Sequence, residues 1–295
     1  MHSDFLSFLK QTLRRPAAFA LLLSFLLGVF FLTGCSVKED RTNCPTWLTF
    51  LSSTADDGLG DRLYFYAFRE GALEFDDLYR WSDFVTVGID VPIMRGALHF
   101  AGFVGWPEDW NRDGVLSIPY GNDAPQAWGF DDKRIVEEGQ FVFDESVRML
   151  FANVFIHVVG QDETYPWTLV LEGNVDGYVL PSLAPHSGEF SSIPFDLGEA
   201  MHHSRIPRQT DDSLLLSLYE DHPLLHPVTK GPVKEWPDPV FSLPVGQIVA
   251  MSGYDWGASV LPDIHIELDF AALSVNVTIG EWKYVMLMDN GRFKI

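Results

Sequence analysis

The chain is poor in cysteine and in positive charge. Its 295 residues include 2 cysteines, and 20 lysine and arginine residues stand against 41 aspartate and glutamate residues, for a net charge of −21. Two cysteines are too few for a disulfide-stapled scaffold. A surface this acidic repels phosphate backbones, so we expect no nucleic-acid partner. The 47% hydrophobic content nevertheless provides for a globular core.

Familiar catalytic motifs are also missing. The sequence has no Gly-x-Ser-x-Gly elbow, no Gly-x-x-x-x-Gly-Lys phosphate loop and no Gly-x-Gly-x-x-Gly dinucleotide loop. Adjacent acids such as Asp76-Asp77 point to opposite faces of a strand, so they do not converge like the carboxylates of a glycosidase. We therefore expect no enzymatic activity and no cofactor.

Histidines cluster in the segment from Met201 to Pro227. His222 and His226 are four residues apart, as on one helix face. Only Pro223, Leu224 and Leu225 lie between them, so the glutamate of a zinc-protease helix is missing. We interpret the segment, which also contains His202 and His203, as a loop with exposed histidines and predict no metal site there.

One segment resembles the first half of a calcium loop. Asp109, Asn111 and Asp113 supply oxygen atoms at loop positions 1, 3 and 5, and Gly114 follows at position 6. Position 12, which needs a bidentate glutamate, is Tyr120. Such stretches also form plain turns between strands, and a turn is the favoured interpretation.

Three of the nine tryptophans lie close together in the sequence: Trp106, Trp110 and Trp128. Exposed together, their rings would offer a platform for sugar rings. Because tryptophan is more often buried in a core, this platform is an alternative hypothesis.

The N-terminal segment has the pattern of a secretory signal peptide. Lys10, Arg14 and Arg15 precede an uncharged run from Pro16 to Leu32. The sequence Leu32-Thr33-Gly34-Cys35 then resembles a bacterial lipobox, which implies cleavage before Cys35 and acylation of its thiol. An uncleaved membrane anchor is the alternative. Anchoring by several acyl chains would be stable.

Lys38, Glu39 and Asp40 follow Cys35 at short distance. They resemble the lysine-and-acid signal that sends Bacteroidetes lipoproteins to the outer face of the outer membrane. A solvated, charged tether is the alternative. We expect a lipid-anchored protein of the outer membrane that faces the cell surface.

Strand patterns dominate the rest of the chain. Apolar and polar residues alternate over Ile264–Phe270 and Leu273–Ile279, which predicts half-buried strands. Continuous apolar runs predict more deeply buried strands over Leu63–Phe68, Leu98–Val104, Val154–Val159 and Thr168–Leu171. One short helix is predicted over Ser213–Tyr219. The fold class is therefore all-β, built from β-sandwiches.

The C-terminus reads as a hairpin. Tyr284–Met288 and Arg292–Ile295 flank Asn290-Gly291, a strong turn signal. We expect this hairpin to close on its own domain, with Val285, Leu287 and Phe293 in the core.

Domain organisation follows from these patterns. We predict a signal peptide (1–34), a tether (35–45), an N-terminal β-sandwich (46–145) and a C-terminal β-sandwich (146–295). The second boundary is placed where the acidic, glycine- and proline-rich stretch around Gly121–Gln140 ends.

The ensemble is similar to one known family, the FimB-like lipoproteins that anchor type V pili of Bacteroidales. The resemblance rests on the lipobox and on these segments: Glu39–Pro45, Arg62–Phe68, Gly96–Trp106, Arg148–Ile156 and Val275–Trp282. It implies two tandem transthyretin-like β-sandwiches. It also implies a protein that holds the base of a pilus, ends pilus growth, and joins the adjacent shaft subunit by strand addition. The alternative is a surface lipoprotein that binds glycans through exposed tryptophans.

Overall fold

The computed structural model describes residues 45–52, 61–112, 114–136, 141–160, 167–196, 201–220, 238–289 and 292–293. All of them belong to one compact unit, Pro45–Ile295. Their helices are α1 (Trp81–Thr86), α2 (Val245–Met251) and a 3-10 turn (Glu108–Trp110). Their strands are β1 (Pro45–Leu51), β2 (Arg62–Arg69), β3 (Ala72–Arg80), β4 (Ile89–Met94), β5 (Gly96–Val104), β6 (Asn111–Arg112), β7 (Val115–Ser117), β8 (Trp128–Val136), β9 (Phe141–Asp144), β10 (Arg148–Met149), β11 (Phe151–Val159), β12 (Thr168–Val179), β13 (Ala184–Ser191), β14 (Phe195–Asp196), β15 (Met201–Pro207), β16 (Leu215–Tyr219), β17 (Phe241–Leu243), β18 (Ile264–Asp269), β19 (Ser274–Ile279), β20 (Trp282–Asp289) and β21 (Arg292–Phe293).

The N-terminal sheets enclose an aromatic core. A three-stranded sheet has the order β4-β1-β9, and a five-stranded sheet has the order β10-β8-β5-β2-β3. The Phe50 ring of β1 lies 4.8 Å from the Phe65 ring of β2 and 4.9 Å from the Phe100 ring of β5. Helix α1 adds Trp81 and Phe84 to the same cluster. Alternate residues of β1, β2 and β5 thus bury one face of each sheet.

The C-terminal sheets enclose a larger, mostly aliphatic core. One sheet has the order β15-β11-β18-β19-β20-β21. The other has the order β17-β16-β12-β7-β6, with β13 and β14 also paired to β12. Ile264, Ile266 and Leu268 of β18 are buried, and Val275 and Val277 face them from β19 in register. The alternation that predicts these strands therefore also identifies their buried face.

Strands β6 and β7 link the two pairs of sheets. They come from the N-terminal half of the chain, but Leu116 of β7 lies opposite Tyr178 of β12 in a C-terminal sheet. Phe103, on the outer face of β5, also belongs to the larger core. The domain limits 46–145 and 146–295 stay a prediction, and the strands Asn111–Arg112 and Val115–Ser117 join the later sheets.

The all-β fold class is confirmed, but one predicted helix is wrong. Leu215–Tyr219 forms strand β16 between β12 and β17. Its residues Leu216 to Tyr219 are all buried, so the surroundings offer backbone partners on both sides, and a strand satisfies them. Asp211 accepts a hydrogen bond from the Ser213 amide in a local turn, and no helix begins there.

Candidate partner-binding edge of the C-terminal sheet

Strand β20 lies near the edge of the six-stranded C-terminal sheet. One side of it pairs with β19, from Ile279 opposite Trp282 to Ser274 opposite Leu287. The other side pairs with β21 only through Met288 and Asp289. Among the described residues, no strand pairs with the outer side of β20 over Trp282–Leu287. We call this stretch the β20 edge.

The side chains of β20 divide between two faces. Met286 is 4% exposed and lies opposite Val275, whereas Val285 and Leu287 are 64% and 70% exposed. Trp282 and Tyr284 are half-buried on the Met286 face, with parallel rings 5.9 Å apart. This face holds β20 on the sheet and leaves the other face to solvent.

The predicted hairpin is closed on its own sheet, but the predicted core positions of Val285 and Leu287 are wrong. Val285 and Leu287 point outward because the strand has a period of two and Met286 takes the inner position. The side chain of Phe293 and the turn Asn290-Gly291 lie outside the described residues.

A shallow cavity of about 420 Å³ lies beside the β20 edge on the outer face of the sheet. The Asn276 amide donates to Glu267 Oε1 across its floor at 2.7 Å. Its lining comprises His157, His265, Ile266, Glu267, Asn276, Val277, Thr278, Lys283, Tyr284 and Val285. The face is therefore polar away from the edge and apolar at Val285.

A second, smaller groove opens at one end of the C-terminal sheets. It has a volume of about 180 Å³. Its lining is apolar throughout: Trp167, Leu169, Leu218, Val240, Phe241, Leu268, Phe270 and Leu273. Val240 and Leu273 are about half exposed, so apolar surface is accessible at this end as well.

Comparison with solved structures finds proteins of the same architecture. The fimbrial anchor protein Mfa2 from Porphyromonas gingivalis aligns over 81% of this chain and 99% of its own, with a TM-score of 0.54 and 11% identity. This chain has the fold of Bacteroidales fimbrial anchor proteins. The predicted resemblance to that family is confirmed at the level of the fold.

Two further structures share this anchor-type fold. One is a candidate polysaccharide-binding protein from Bacteroides thetaiotaomicron, with a TM-score of 0.55, 15% identity, and coverage of 82% of this chain and 97% of its own. The other is a candidate adhesin from Bacteroides ovatus, with a TM-score of 0.53, 8% identity, and coverage of 85% and 97%. No protein-family model matches the chain, and no curated protein matches it significantly. Since fold does not fix function, function must be argued from the sites.

The predicted lipidation and export residues, Cys35, Lys38, Glu39 and Asp40, lie outside the described residues. No helix in the described part of the chain is long and apolar enough to cross a membrane.

Only part of the calcium candidate lies within the described residues. Asp113 lies outside the described residues, whereas Asn111 donates its side-chain amide to the Tyr66 hydroxyl at 3.1 Å. In the described ranges, no three histidine, cysteine, aspartate or glutamate side chains are placed to hold a metal ion. Calcium binding by Asp109, Asn111 and Asp113 stays a prediction.

The three tryptophans do not form an exposed platform. Trp106 is 4% exposed, and its ring meets Tyr178 edge-on at 5.9 Å. Trp110 and Trp128 are half-buried and pack against the cores. The tryptophans pack their apolar area where the N-terminal and C-terminal sheets meet. The buried Trp106 ring is therefore not available to stack on a sugar.

Two histidines placed in a predicted loop lie instead on strand β15. The ring of His203 stacks on Phe155 of β11 at 4.5 Å, and His265 of β18 stacks on its other side at 4.9 Å. Burial, with Arg205, lowers the pKa of His203, so protonation of this ring is disfavoured. The polar positions of β11 and β18 indicated from the sequence which residues face outward. Only the pairing of the strands brings the rings of His203, Phe155 and His265 together. His222 and His226 lie outside the described residues.

Proposed function

We propose that this protein is a lipid-anchored structural subunit that holds the base of a surface pilus in the outer membrane and ends its growth. The fimbrial shaft subunit is its partner and supplies a strand to the β20 edge. The fold shared with a fimbrial anchor protein supports the class of role, which is structural and not catalytic. The pairing and exposure of β20 support the site.

The observation that carries this proposal is the exposure of Val285 and Leu287 on an incompletely paired strand. Natural sheets normally protect long apolar edges with charge, a bulge or a covering element. Here Lys283 is the one charged side chain between Trp282 and Leu287. An added strand would gain main-chain hydrogen bonds from the edge and side-chain contacts with the two exposed apolar residues.

A role as strand acceptor also fits the position of the protein at the end of the pilus. Strand β20 is committed to β19, and β21 folds back on β20, so the described C-terminal segment closes locally. A donor would need an extended segment free of its own sheet. A subunit that accepts one strand and donates none stops a chain of strand exchanges, as the end of a pilus requires.

Membrane attachment in this proposal depends on Cys35. Several acyl chains on one N-terminal residue hold a protein stably, whereas one chain holds it only marginally. Lys38, Glu39 and Asp40 would direct the anchored protein to the cell surface. The variant Cys35→Ala is expected to leave the membrane fraction or to stay unprocessed; acylation and cleavage unchanged in this variant would contradict the anchor.

The strand-addition site is tested by making the β20 edge charged. We expect V285K/L287K to reduce capture of the shaft subunit at least tenfold in a pull-down, since an incoming apolar strand would bury two ammonium groups. The control is Ile135→Lys, because Ile135 is 73% exposed on β8, far along the chain from the edge. Equal capture by V285K/L287K and wild type would exclude β20 as the site.

A glycan-binding role is the weaker candidate. The name of the Bacteroides thetaiotaomicron structure points to polysaccharide, but burial of Trp106 removes one of the three rings on which this hypothesis rests. We therefore propose the anchor function alone.

A further inference from the structure

A cavity of about 440 Å³ lies on the outer face of the five-stranded N-terminal sheet, far along the chain from β20. Strands β2, β3 and β5 form its floor, and the 3-10 turn Glu108–Trp110 forms one wall. Its lining comprises Tyr64, Tyr66, Asp76, Asp77, Leu78, Phe103, Pro107, Glu108 and Asn111. We call it the outer-face cavity.

Strand register explains why its residues converge. In antiparallel pairs, residues directly opposite share a face, and Tyr66 lies opposite Asp76 while Tyr64 lies opposite Phe103. The Phe103 ring is stacked near-parallel to the rings of Tyr64 and Tyr66 at 5.3 and 5.6 Å. The half-buried rings of Tyr64 and Tyr66 form an apolar floor that is backed by Phe103, which is 2% exposed, while Leu63 and Phe65 point to the core on the other face.

The polar groups of the cavity are mainly acceptors and carry negative charge. Burial raises the pKa of Tyr66, and the carboxylates of Asp76 and Glu108 act on the same hydroxyl in the same direction. The Asn111 amide donates to that hydroxyl at 3.1 Å and holds it in place. Asp76 and Glu108 form no ion pair with any described side chain, and no lysine or arginine is among the described lining residues.

We propose that the outer-face cavity binds an organic cation, a guanidinium or ammonium group on an apolar stem. The Asp76 and Glu108 carboxylates would accept charge-assisted hydrogen bonds from its N–H groups. The stem would lie along the Tyr64 and Tyr66 rings and Leu78. The ring faces are turned toward one another, so a sugar would find less exposed ring face here than a stacking site needs. This proposal does not depend on the pilus function.

Isothermal titration with agmatine, which carries a guanidinium and an ammonium group at the two ends of a butyl stem, tests the proposal on the full-length protein. We expect D76N/E108Q to weaken agmatine binding at least about tenfold, since both charge-assisted hydrogen bonds to the cation are lost. The matched control, D61N/E281Q, removes two exposed carboxylates elsewhere and keeps the same net charge. It is expected to bind within about twofold of wild type, because exposed distant charges are screened.

Two further arms sharpen the result. N-butylurea keeps the butyl stem but has neither of the two cationic groups of agmatine, and it is expected to bind at least tenfold more weakly. Tyr66→Phe keeps the ring, removes the hydroxyl and is expected to weaken binding about threefold. Thermal melting by circular dichroism confirms that each variant is folded.

The source of the cation is distinguished by a peptide. Tighter binding of acetyl-Gly-Arg-Gly-amide than of agmatine would assign the cavity to a partner's arginine side chain, and the reverse would assign it to a free amine. The proposal is wrong if folded D76N/E108Q binds agmatine like wild type, or if butylurea binds equally well. It is also wrong if the cavity binds only maltose or only calcium.

Discussion

Strands β3 and β20 both lie at the side of a sheet, yet they carry different side chains. Strand β3 pairs with β2 alone among the described strands, and its exposed residues include Asp76 and Asp77 as well as Leu73 and Leu78. Glu74 also forms an ion pair with Arg69 at 2.6 Å. The β20 edge also exposes apolar residues, Val285 and Leu287, but Lys283 is the one charged side chain between Trp282 and Leu287. Charge protects an edge from unspecific pairing, so β20 is the less protected of the two edges.

The two halves of the molecule also bury charge differently. In the C-terminal sheets, Arg208 is 5% exposed and donates hydrogen bonds to the carbonyl oxygens of Met149, Trp256 and Ala258. At the N-terminal sheets, Glu145 is 6% exposed, and the Arg134 guanidinium is 3.6 Å from its Oε1. One buried charge is well satisfied and the other is not, so they should respond oppositely to substitution.

The largest effect is expected from Arg208→Met. The substitution leaves one buried and two partly buried carbonyl oxygens without their donor, which should lower the free energy of unfolding by about 3–5 kcal/mol. Urea denaturation measures this loss. The control Arg62→Met, at an exposed position, should change the free energy by less than about 0.5 kcal/mol. A similarly small loss for both variants would mean that Arg208 does not stabilise the segments that contain these carbonyl oxygens.

A smaller effect is expected where the two halves join. A Cβ at Gly177 of β12 would lie 1.8 Å from the Leu116 carbonyl oxygen of β7, so Gly177→Ala must push the two strands apart. We expect a loss of about 1–3 kcal/mol in the free energy of unfolding.

The control for this joint lies on the same strand. At Gly173 the atom nearest to an added Cβ is the Gln209 side-chain Oε1 at 3.1 Å, which has to shift by only a few tenths of an ångström, so Gly173→Ala should cost less than about 1 kcal/mol. Thermal melting of both variants checks the difference. Equal melting temperatures would argue against a tight β7–β12 joint.

Glu145→Gln is expected to stabilise the protein at high pH. Burial, with Asp132 nearby, raises the pKa of Glu145 from 4.5 to about 7. Because the folded state holds the proton more tightly, this group's stabilising contribution is present below pH 4.5 and is lost as the pH rises through about 7. The variant should therefore match wild type near pH 4.5 and gain about 1–3 kcal/mol at pH 8.

Urea denaturation across this pH range measures the gain. Glu267→Gln, on an exposed face of the C-terminal sheet, is the control for the loss of one carboxylate. A constant offset between Glu145→Gln and wild type at all pH values would contradict a raised pKa.

The smallest effect on stability is expected at the β20 edge. Val285→Lys should change the free energy of unfolding by less than about 0.5 kcal/mol, because the side chain is exposed. In analytical ultracentrifugation, the isolated Val285→Lys variant should associate with itself no more than the wild type does. Met286→Lys, one residue along, is the contrast: it should destabilise the protein by more than 2 kcal/mol, since it places a charge in the core.

Sequence patterns predicted much of this fold but not its details. Alternation over Ile264–Phe270 and Leu273–Ile279 gave both the strands and their buried faces, because one side of each strand is wet. The pattern failed over Ser213–Tyr219, where a strand buried on both faces looks like a short helix. At β20 the outward residues Val285 and Leu287 are apolar, so hydrophobicity alone could not tell which face is buried.

Local order was therefore decided by the sequence itself: the turn glycines, the strand periodicity, the acidic composition, and the predicted lipobox at Cys35 are all properties of neighbouring residues. Tertiary structure alone decided which edge stays open, that Trp106 is buried against Tyr178, and that Asp76, Glu108 and Tyr66 line one cavity. These features depend on pairing between residues far apart in the chain, and a local pattern does not encode a register between distant strands.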